Sequence, residues 1–394
     1  MLALVSVAEL AGMSVWFTAS AVAPELQNAW GLSALQTGWL TSTVQLGFVA
    51  GTAVAALLNL ADVLPARIYF PVAALLAALA NAALLVAPGF EVALVTRFCT
   101  GFFLAGVYPP AMKMIATWFR VGRGMAIGTV VGALTVGKSA PYVLKAVGGP
   151  GLTAVVLGAS AGAAASAVLV AWLYRDGPQA FPRNPFSWGL LARVVRHRET
   201  RLATGGYLGH MWELYAVWTW IPAFLLASAE VLRAEGGAAP GVTTVELVAA
   251  ASIAIGGVGC VWGGRVADRI GRERFANQAM TVSGACCLAA GFFFGGPFWL
   301  LAAVTLLWGV FVVADSAQFS AVVTEVAPPE AVGTALTLQT SLGFLLTMVT
   351  IQGVPWMVDL LGWPWAFTGL AVGPALGIAA MRQLARVRAS GSAG

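Results

Sequence analysis

Uninterrupted apolar runs, separated by short polar breaks, recur from one end of this 394-residue chain to the other. A helix rises about 1.5 Å per residue, so a run of about 20 residues crosses the ~30 Å hydrocarbon core of a bilayer. Composition agrees with lipid as the solvent. Of the residues, 59% are hydrophobic and 9% charged, whereas a soluble domain carries about 25% charge. Strands of a membrane barrel would alternate in polarity over about ten residues. These runs do not alternate, and they are rich in Ala, Leu, Val and Gly, as packed membrane helices are. The expected fold class is an all-α membrane protein.

Twelve spans are expected, near 2–23, 33–58, 68–88, 92–117, 123–145, 152–174, 203–227, 244–264, 275–293, 298–323, 332–354 and 364–385. The first run starts at Leu2 without a charged leader or a fitting cleavage site, so it reads as a retained span. Cys99, Cys260, Cys286 and Cys287 all lie inside apolar runs with no CxxC spacing. They read as small core residues, not as a disulfide framework or a zinc site.

Basic residues set the orientation, because cytoplasmic loops of membrane proteins carry an excess of Lys and Arg. With the amino terminus inside, inner segments hold Arg67, Arg120, Arg123, six arginines from Arg175 to Arg201, four from Arg265 to Arg274 and three in the tail, most of the 21 Lys and Arg. Outer loops hold Lys145 and Arg233, and Arg97, Lys113 and Lys138 fall within spans. Both termini are expected in the cytoplasm. This lopsided placement accounts for the net charge of +5 without a nucleic-acid partner.

The polar stretch around Pro178, Pro182 and Pro185 divides six spans from six, giving bundles at 1–175 and 203–394 joined by a connector at 176–202. The halves repeat. Arg123 to Gly128 aligns with Val332 to Thr337 at an offset of 209, Asp62 with Asp268 at 206, and Glu9-Leu10 and Trp16 with Glu213-Leu214 and Trp220 at 204. Duplicated six-helix units are a property of transporters whose site lies between two rocking halves.

Gly264 to Arg272, read as G-x-x-x-D-R-x-G-R between spans eight and nine, resembles the signature loop of the major facilitator superfamily in its second copy. The first copy keeps Asp62 and Arg67 but has Asn59, Val63 and Ala66 where the pattern has Gly, Arg and Gly. The resemblance implies a conformational latch made by Asp268, Arg269, Gly271 and Arg272, with Asp62 and Arg67 in the other half. Arg97 with Gly101 is similar to the family's second motif, an arginine inside the membrane. Gly132, Gly137 and Pro141 do not form the Gly-Pro pair of the antiporter motif. Tyr108-Pro109-Pro110 and Trp118-Phe119 look closest to prokaryotic anion and organic-acid porters.

Ionisable groups that persist in hydrocarbon are usually paired or functional. Glu213 lies about 18 Å along its span from Arg201, with His210 on the same helix face. A carboxylate beside an imidazole can exchange a proton near neutral pH. Asp315 is about 15 Å inside from Glu325, with Tyr108 as its counterpart in the repeat, so the two are expected to face one another across the midplane. With the shallower Glu9, these form the proton-coupling candidates. Lys138 is about 22 Å beyond Arg123, near enough the outer face to snorkel. Lys113 lies about 10 Å from Arg120. Lys138, Arg97 and Lys113 are the cations expected to contact a solute, and they favour an anion. Tyr108, Gln45, Gln339, Tyr142 and Tyr215 offer hydrogen bonds in a cavity, against interhelical bonding as their bland role. Trp30, Trp299 and Trp363 read as interfacial belt, whereas Trp212, Trp218 and Trp220 lie deeper.

No P-loop is present, so ATP is not the expected energy source, and no nucleophile, base and acid set points to an enzyme. The expectation is a monomeric, proton-coupled porter of a small anion in a bacterial inner membrane, with no cofactor or metal and with solute and protons as its partners. Export of a hydrophobic compound is the alternative. A non-transporting sensor or assembly factor on the same scaffold is the reading from another class.

Overall fold

Apolar sequence with few helix breakers folds here into long helices, and no strand occurs among the described residues. The computed structural model describes all residues except 59, 120–122, 149–150, 179–186 and 392–394, and side chains except also those of 61, 62, 123, 124, 148 and 391. In the first half the helices are α1 (Leu2–Gly12), α2 (Ala34–Leu57), α3 (Ala66–Ala82), α4 (Phe90–Leu104), α5 (Tyr108–Ala116), α6 (Arg123–Gly148) and α7 (Leu152–Leu173). The connector contributes α8 (Trp188–Arg196). The second half holds α9 (Arg198–Ala234), α10 (Val242–Ala254), α11 (Gly256–Ile270), α12 (Arg272–Ala289), α13 (Phe298–Ala314), α14 (Ser316–Val326), α15 (Val332–Leu361) and α16 (Val372–Gly391).

Among the described residues, ten spans are long and apolar enough to cross a membrane. Two expected spans fall outside that set. The first is interrupted after Gly12, becomes a 3₁₀ turn over Met13–Val15 and resumes as short helices at Thr18–Ala21 and Ala23–Trp30. The ninth, α12 continued by a 3₁₀ turn at Ala290–Phe293, opens on Arg272, Glu273 and Arg274 and carries Asn277 and Gln278. The seventh begins earlier than expected, at Arg198, and runs 37 residues.

Several spans are broken mid-membrane, where freed backbone groups must find partners inside the protein. Between α4 and α5 the break precedes Pro109 and Pro110, which lack the N–H that a continuing helix would use. Between α10 and α11 it falls at Ile255, ahead of Gly256 and Gly257. Between α13 and α14 it falls at Asp315, whose carbonyl accepts from the Gln318 N–H at 2.8 Å.

Small residues let the helices approach backbone to backbone. A Cβ added at Gly101 would lie 1.8 Å from the Val44 carbonyl oxygen, and one at Gly51 would lie 2.3 Å from that of Phe102, so α2 and α4 touch. In the second half a Cβ at Gly309 would lie 1.8 Å from the Ser252 oxygen, and one at Gly259 would lie 2.4 Å from that of Val310. Each pair is displaced from its equivalent by 208 positions, within the range of offsets read from the sequence. The halves meet along two seams. One joins α2 to α15, and the other joins α6 to α10 and α11.

Candidate functional site

At the centre, where the seams converge, stands Lys138 of α6. It is 2% exposed, so it does not snorkel to a surface as its depth along the helix suggested. Its Nζ donates to the Tyr215 hydroxyl across the two halves. The same nitrogen lies 4.2 Å from the Trp16 ring centroid, 4.6 Å from that of Tyr215 and 5.4 Å from that of Trp218. Cation–π contacts of this kind hold an ammonium without neutralising it. No carboxylate lies within ion-pair distance of Lys138 among the described residues. Phe17, Phe48 and Phe344 complete the surroundings: Trp16 is 5.3 Å from Phe48 and 5.5 Å from Phe344, and Phe17 is 6.2 Å from Tyr215, centroid to centroid.

Glu9, expected to be shallow, is fully buried, and neither carboxylate oxygen has a hydrogen-bond partner. Its helix packs directly on the neighbour of Lys138, since a Cβ at Gly137 would fall 2.1 Å from the Leu10 carbonyl oxygen. Glu9 interacts with Lys138 through space.

The second acidic cluster is arranged differently from the sequence expectation. His210 and Glu213 do not pair. The His210 Nδ1 lies 2.9 Å from Asp315 Oδ1, with both side chains buried. Glu213 turns to other helices, where its Oε1 accepts from the Ser283 hydroxyl at 2.6 Å, the Trp308 indole N–H at 2.5 Å and the Cys287 thiol at 3.1 Å. Residues three apart on a helix diverge by about 60° in direction, which lets them serve different neighbours. Asp315 lies against His210, and the Tyr108 ring centroid lies 6.5 Å from that of Phe48.

Arg97 is fully buried and donates to Asn81 Oδ1 at 2.7 Å and to the carbonyls of Val15 and Trp16 at 3.0 and 2.6 Å. It satisfies the carbonyls released where the first span breaks, and thereby sets the backbone of the residue whose ring lies under Lys138. Gln339 is buried with its Oε1 unpartnered, Tyr142 packs 6.4 Å from Phe17, and Lys113 is half-buried on α5. Gln45 and Thr347 are hydrogen-bonded across the α2–α15 seam. Of the deeper tryptophans, Trp218 reaches the centre, whereas Trp220 and Trp212 donate to the carbonyls of Ile351 and Gly369 at 2.8 and 3.2 Å. Trp16 was singled out in the sequence only as a mark of the repeat, and its place beneath Lys138 is set by the break after Gly12.

Two ionic networks lie at opposite ends. At the connector end Gly271, with φ 94°, makes the left-handed turn from α11 to α12, a conformation glycine adopts without strain. Next to it Arg272 binds Glu325 at 2.7 Å, the Gln318 amide oxygen at 2.9 Å and Asp268 at 3.4 Å. Arg388 bridges Glu273 and Glu325, and Arg193 of the connector pairs with Glu330. Arg269 and Arg67 are exposed, and the Asp62 side chain lies outside the described residues. At the other end Lys145 lies 3.3 Å from Glu25 and 3.4 Å from Glu246, the latter on α10, so one ammonium spans the halves.

Two surface clefts, of about 510 and 390 Å³, are lined by residues such as Phe294 and Trp363 in one and Gly132 and Gly257 in the other, and neither borders Lys138. No group of His, Cys, Asp and Glu among the described residues is arranged to hold a metal ion.

No curated protein matches the sequence. Among solved structures the fold is similar to that of a bacterial homolog of the human lysosomal transporter Spinster. Its inward-facing unoccupied form matches with a TM-score of 0.75 at 14% identity, covering 98% of this chain and 96% of that one. The inward-facing occupied form gives 0.70 at 15% identity with the same coverage, 98% and 96%. At these identities the likeness is one of fold. The sequence itself matches the family described as Major Facilitator Superfamily over residues 4–241 and again over 238–392, across essentially the whole chain. With its helical spans, its signature loop at Gly264 to Arg272 and these matches, the chain belongs to the major facilitator superfamily, whose members are secondary transporters.

Proposed function

We propose that this protein carries a small anionic solute together with protons by alternating access. One observation carries the reading: the Lys138 ammonium is buried between the halves, received among the described residues by ring faces and one hydroxyl, with no carboxylate among them in contact. A cation so placed attracts an anion strongly, because little water screens it. Glu9 supports the coupling to protons. With no donor on either oxygen, it opposes an arriving anion unless it takes up a proton, so solute and proton enter together. The His210–Asp315 pair at the α13–α14 break is a second buried polar contact beside the centre.

In this reading the chain forms twelve spans in two halves, 1–175 and 203–394, joined by 176–202, with both termini in the cytoplasm of a bacterial inner membrane. It works as a monomer. The Arg272 network and the Lys145 bridge latch opposite faces and break in alternation as the halves rock. Arg97 serves here by positioning Trp16 and not by touching the solute. Proteoliposome uptake of a panel of anions, including benzenesulfonate, phosphate and nitrate, with and without an inside-alkaline pH gradient, tests the proposal. Expected is gradient-driven uptake that is lost in Lys138→Met and loses its dependence on the gradient in Glu9→Gln. Uptake that ignores the gradient in the wild type, or that Lys138→Met leaves intact, would overturn it.

The aromatic walls favour a second reading, export of a hydrophobic compound. In that case expressing cells accumulate less of a lipophilic dye, and small anions do not compete with it.

A further inference from the structure

We infer that the indole N–H groups of Trp16 and Trp218 are hydrogen-bond donors of the solute site, and that the site takes an anion with an apolar, ring-sized body, a carboxylate or sulfonate. The inference rests on Lys138 being the charge partner of the solute. Trp16 is 1% exposed and Trp218 2%, and both rings flank the Lys138 ammonium. Neither indole Nε1 has a hydrogen-bond partner among the described residues. Elsewhere in the molecule buried indoles are satisfied: Trp220 donates to the Ile351 carbonyl at 2.8 Å and Trp308 to Glu213 at 2.5 Å.

A buried N–H without an acceptor carries the cost of its lost water, and native proteins leave few such groups. Two of them beside one ammonium, with no acceptor from the chain, make a site that lacks only acceptor oxygens. Trp16 comes from the first half and Trp218 from the second, so one oxyanion accepting from both joins the halves. The rest of the wall is apolar: Phe17 is 6.3 Å from Trp218, and Phe48 is 4.7 Å from Phe344. A small hydrated ion would exchange part of its water for the ammonium and two indoles and lose the rest against bare rings, whereas the body of an aromatic anion packs on those rings edge-to-face or offset. Once protonated, Glu9 no longer repels an anion, and its carboxyl O–H is a further donor near Lys138.

The test uses purified full-length protein and binding of benzenesulfonate, benzoate, acetate and benzyltrimethylammonium, followed by thermal shift and calorimetry. Trp16→Phe and Trp218→Phe keep a ring and remove the N–H. Expected is binding of both aromatic anions, weaker binding of acetate and none of the ammonium isostere. Each Phe variant should weaken aromatic-anion binding about tenfold while the unliganded protein melts no lower, a split that a merely structural role for the rings does not produce. Phe variants that bind like the wild type would overturn the inference, the indoles then being satisfied by ordered water only. Equal binding of acetate and benzoate, preference for the ammonium, or no binding by any probe would also overturn it. If Lys138→Met binds benzenesulfonate unchanged while the Phe variants lose it, the charge role of Lys138 fails and the donor assignment stands. If Lys138→Met abolishes binding and the Phe variants do not weaken it, the reverse holds.

Discussion

Gly101 and Gly309 offer a perturbation whose outcome follows from geometry. A Cβ at either position would stand 1.8 Å from a carbonyl oxygen of the neighbouring helix, Val44 in one half and Ser252 in the other. Real Cβ contacts essentially never fall below 3.0 Å, so alanine must open each helix pair by 1.2 Å, the difference between 3.0 and 1.8 Å. The obstacle is backbone and cannot rotate aside. Overpacking of this kind costs about 1–3 kcal/mol and sometimes more. Gly353 on α15 is the control, because a Cβ there meets nothing within 4 Å, and replacing a helical glycine by alanine stabilises by about 0.5–1 kcal/mol. The contrast between Gly101→Ala or Gly309→Ala and Gly353→Ala is then about 2–4 kcal/mol by the same principles. Heating the three variants in one detergent and following the fraction that stays monodisperse reads the order directly. The two clashing variants should also fall together, because they sit at equivalent places in the repeat. Gly101→Ala and Gly309→Ala surviving as well as Gly353→Ala would refute the close approach of these helices.

Arg97→Met removes three hydrogen bonds, those to the Asn81 amide oxygen and the Trp16 and Val15 carbonyls, of which Val15 keeps the Thr18 hydroxyl at 3.2 Å. At about 1–3 kcal/mol for each buried group left unpaired, it should destabilise the fold more than Arg67→Met at an exposed position, as thermal unfolding would show. Lys145→Met breaks the bridge between Glu25 and Glu246, so the end opposite the connector should open more often. Partly exposed pairs contribute about 0–1 kcal/mol each, so labelling of a cysteine placed between α6 and α10 at that end should quicken by no more than about fivefold per pair, and the effect should shrink at high salt.

Burial was legible for His210, Glu213 and Asp315, because a charge deep inside a long apolar run has nowhere else to go, but not for Glu9, expected to be shallow, or Lys138, expected to snorkel. Glu9, Arg97, Lys138, His210, Glu213 and Asp315 are all at most 2% exposed. Their partners were not legible. Partners are chosen by helix packing across the chain, and His210 finds Asp315 from 105 positions away, past the glutamate three residues along its own helix. No break was read from the sequence, although backbone chemistry marks two of them, at Pro109-Pro110 and Gly256-Gly257. The break after Gly12 carries no such mark at Trp16 or Phe17. What sustains it is Arg97, 81 residues further on from Trp16. Trp218 was legible as one of the deeper tryptophans, whereas Trp16 was read only as a mark of the repeat, because its place at the centre depends on that same break.

Glu9 and Glu213 descend from the same position of the repeat, 204 residues apart, and the structure has given them opposite surroundings. Glu213 has three donors on one oxygen, from Ser283, Cys287 and Trp308. Glu9 has none, and it adjoins an ammonium that no carboxylate touches. A group whose hydrogen bonds are complete resists any change of charge, whereas one whose bonds are incomplete is where a proton or a ligand finishes the set. The same substitution should therefore separate the two roles. Glu213→Gln disturbs a set of three donors on one buried oxygen, so its main effect should be a lower melting temperature with the pH dependence of anion binding retained. Glu9→Gln gives up no hydrogen bond, so the protein should melt close to the wild type while anion binding loses its dependence on pH. Both readouts come from one preparation of each variant. A Glu9→Gln protein that keeps the pH dependence, with a Glu213→Gln protein that loses it, would move the proton to the second half and leave Glu9 as packing.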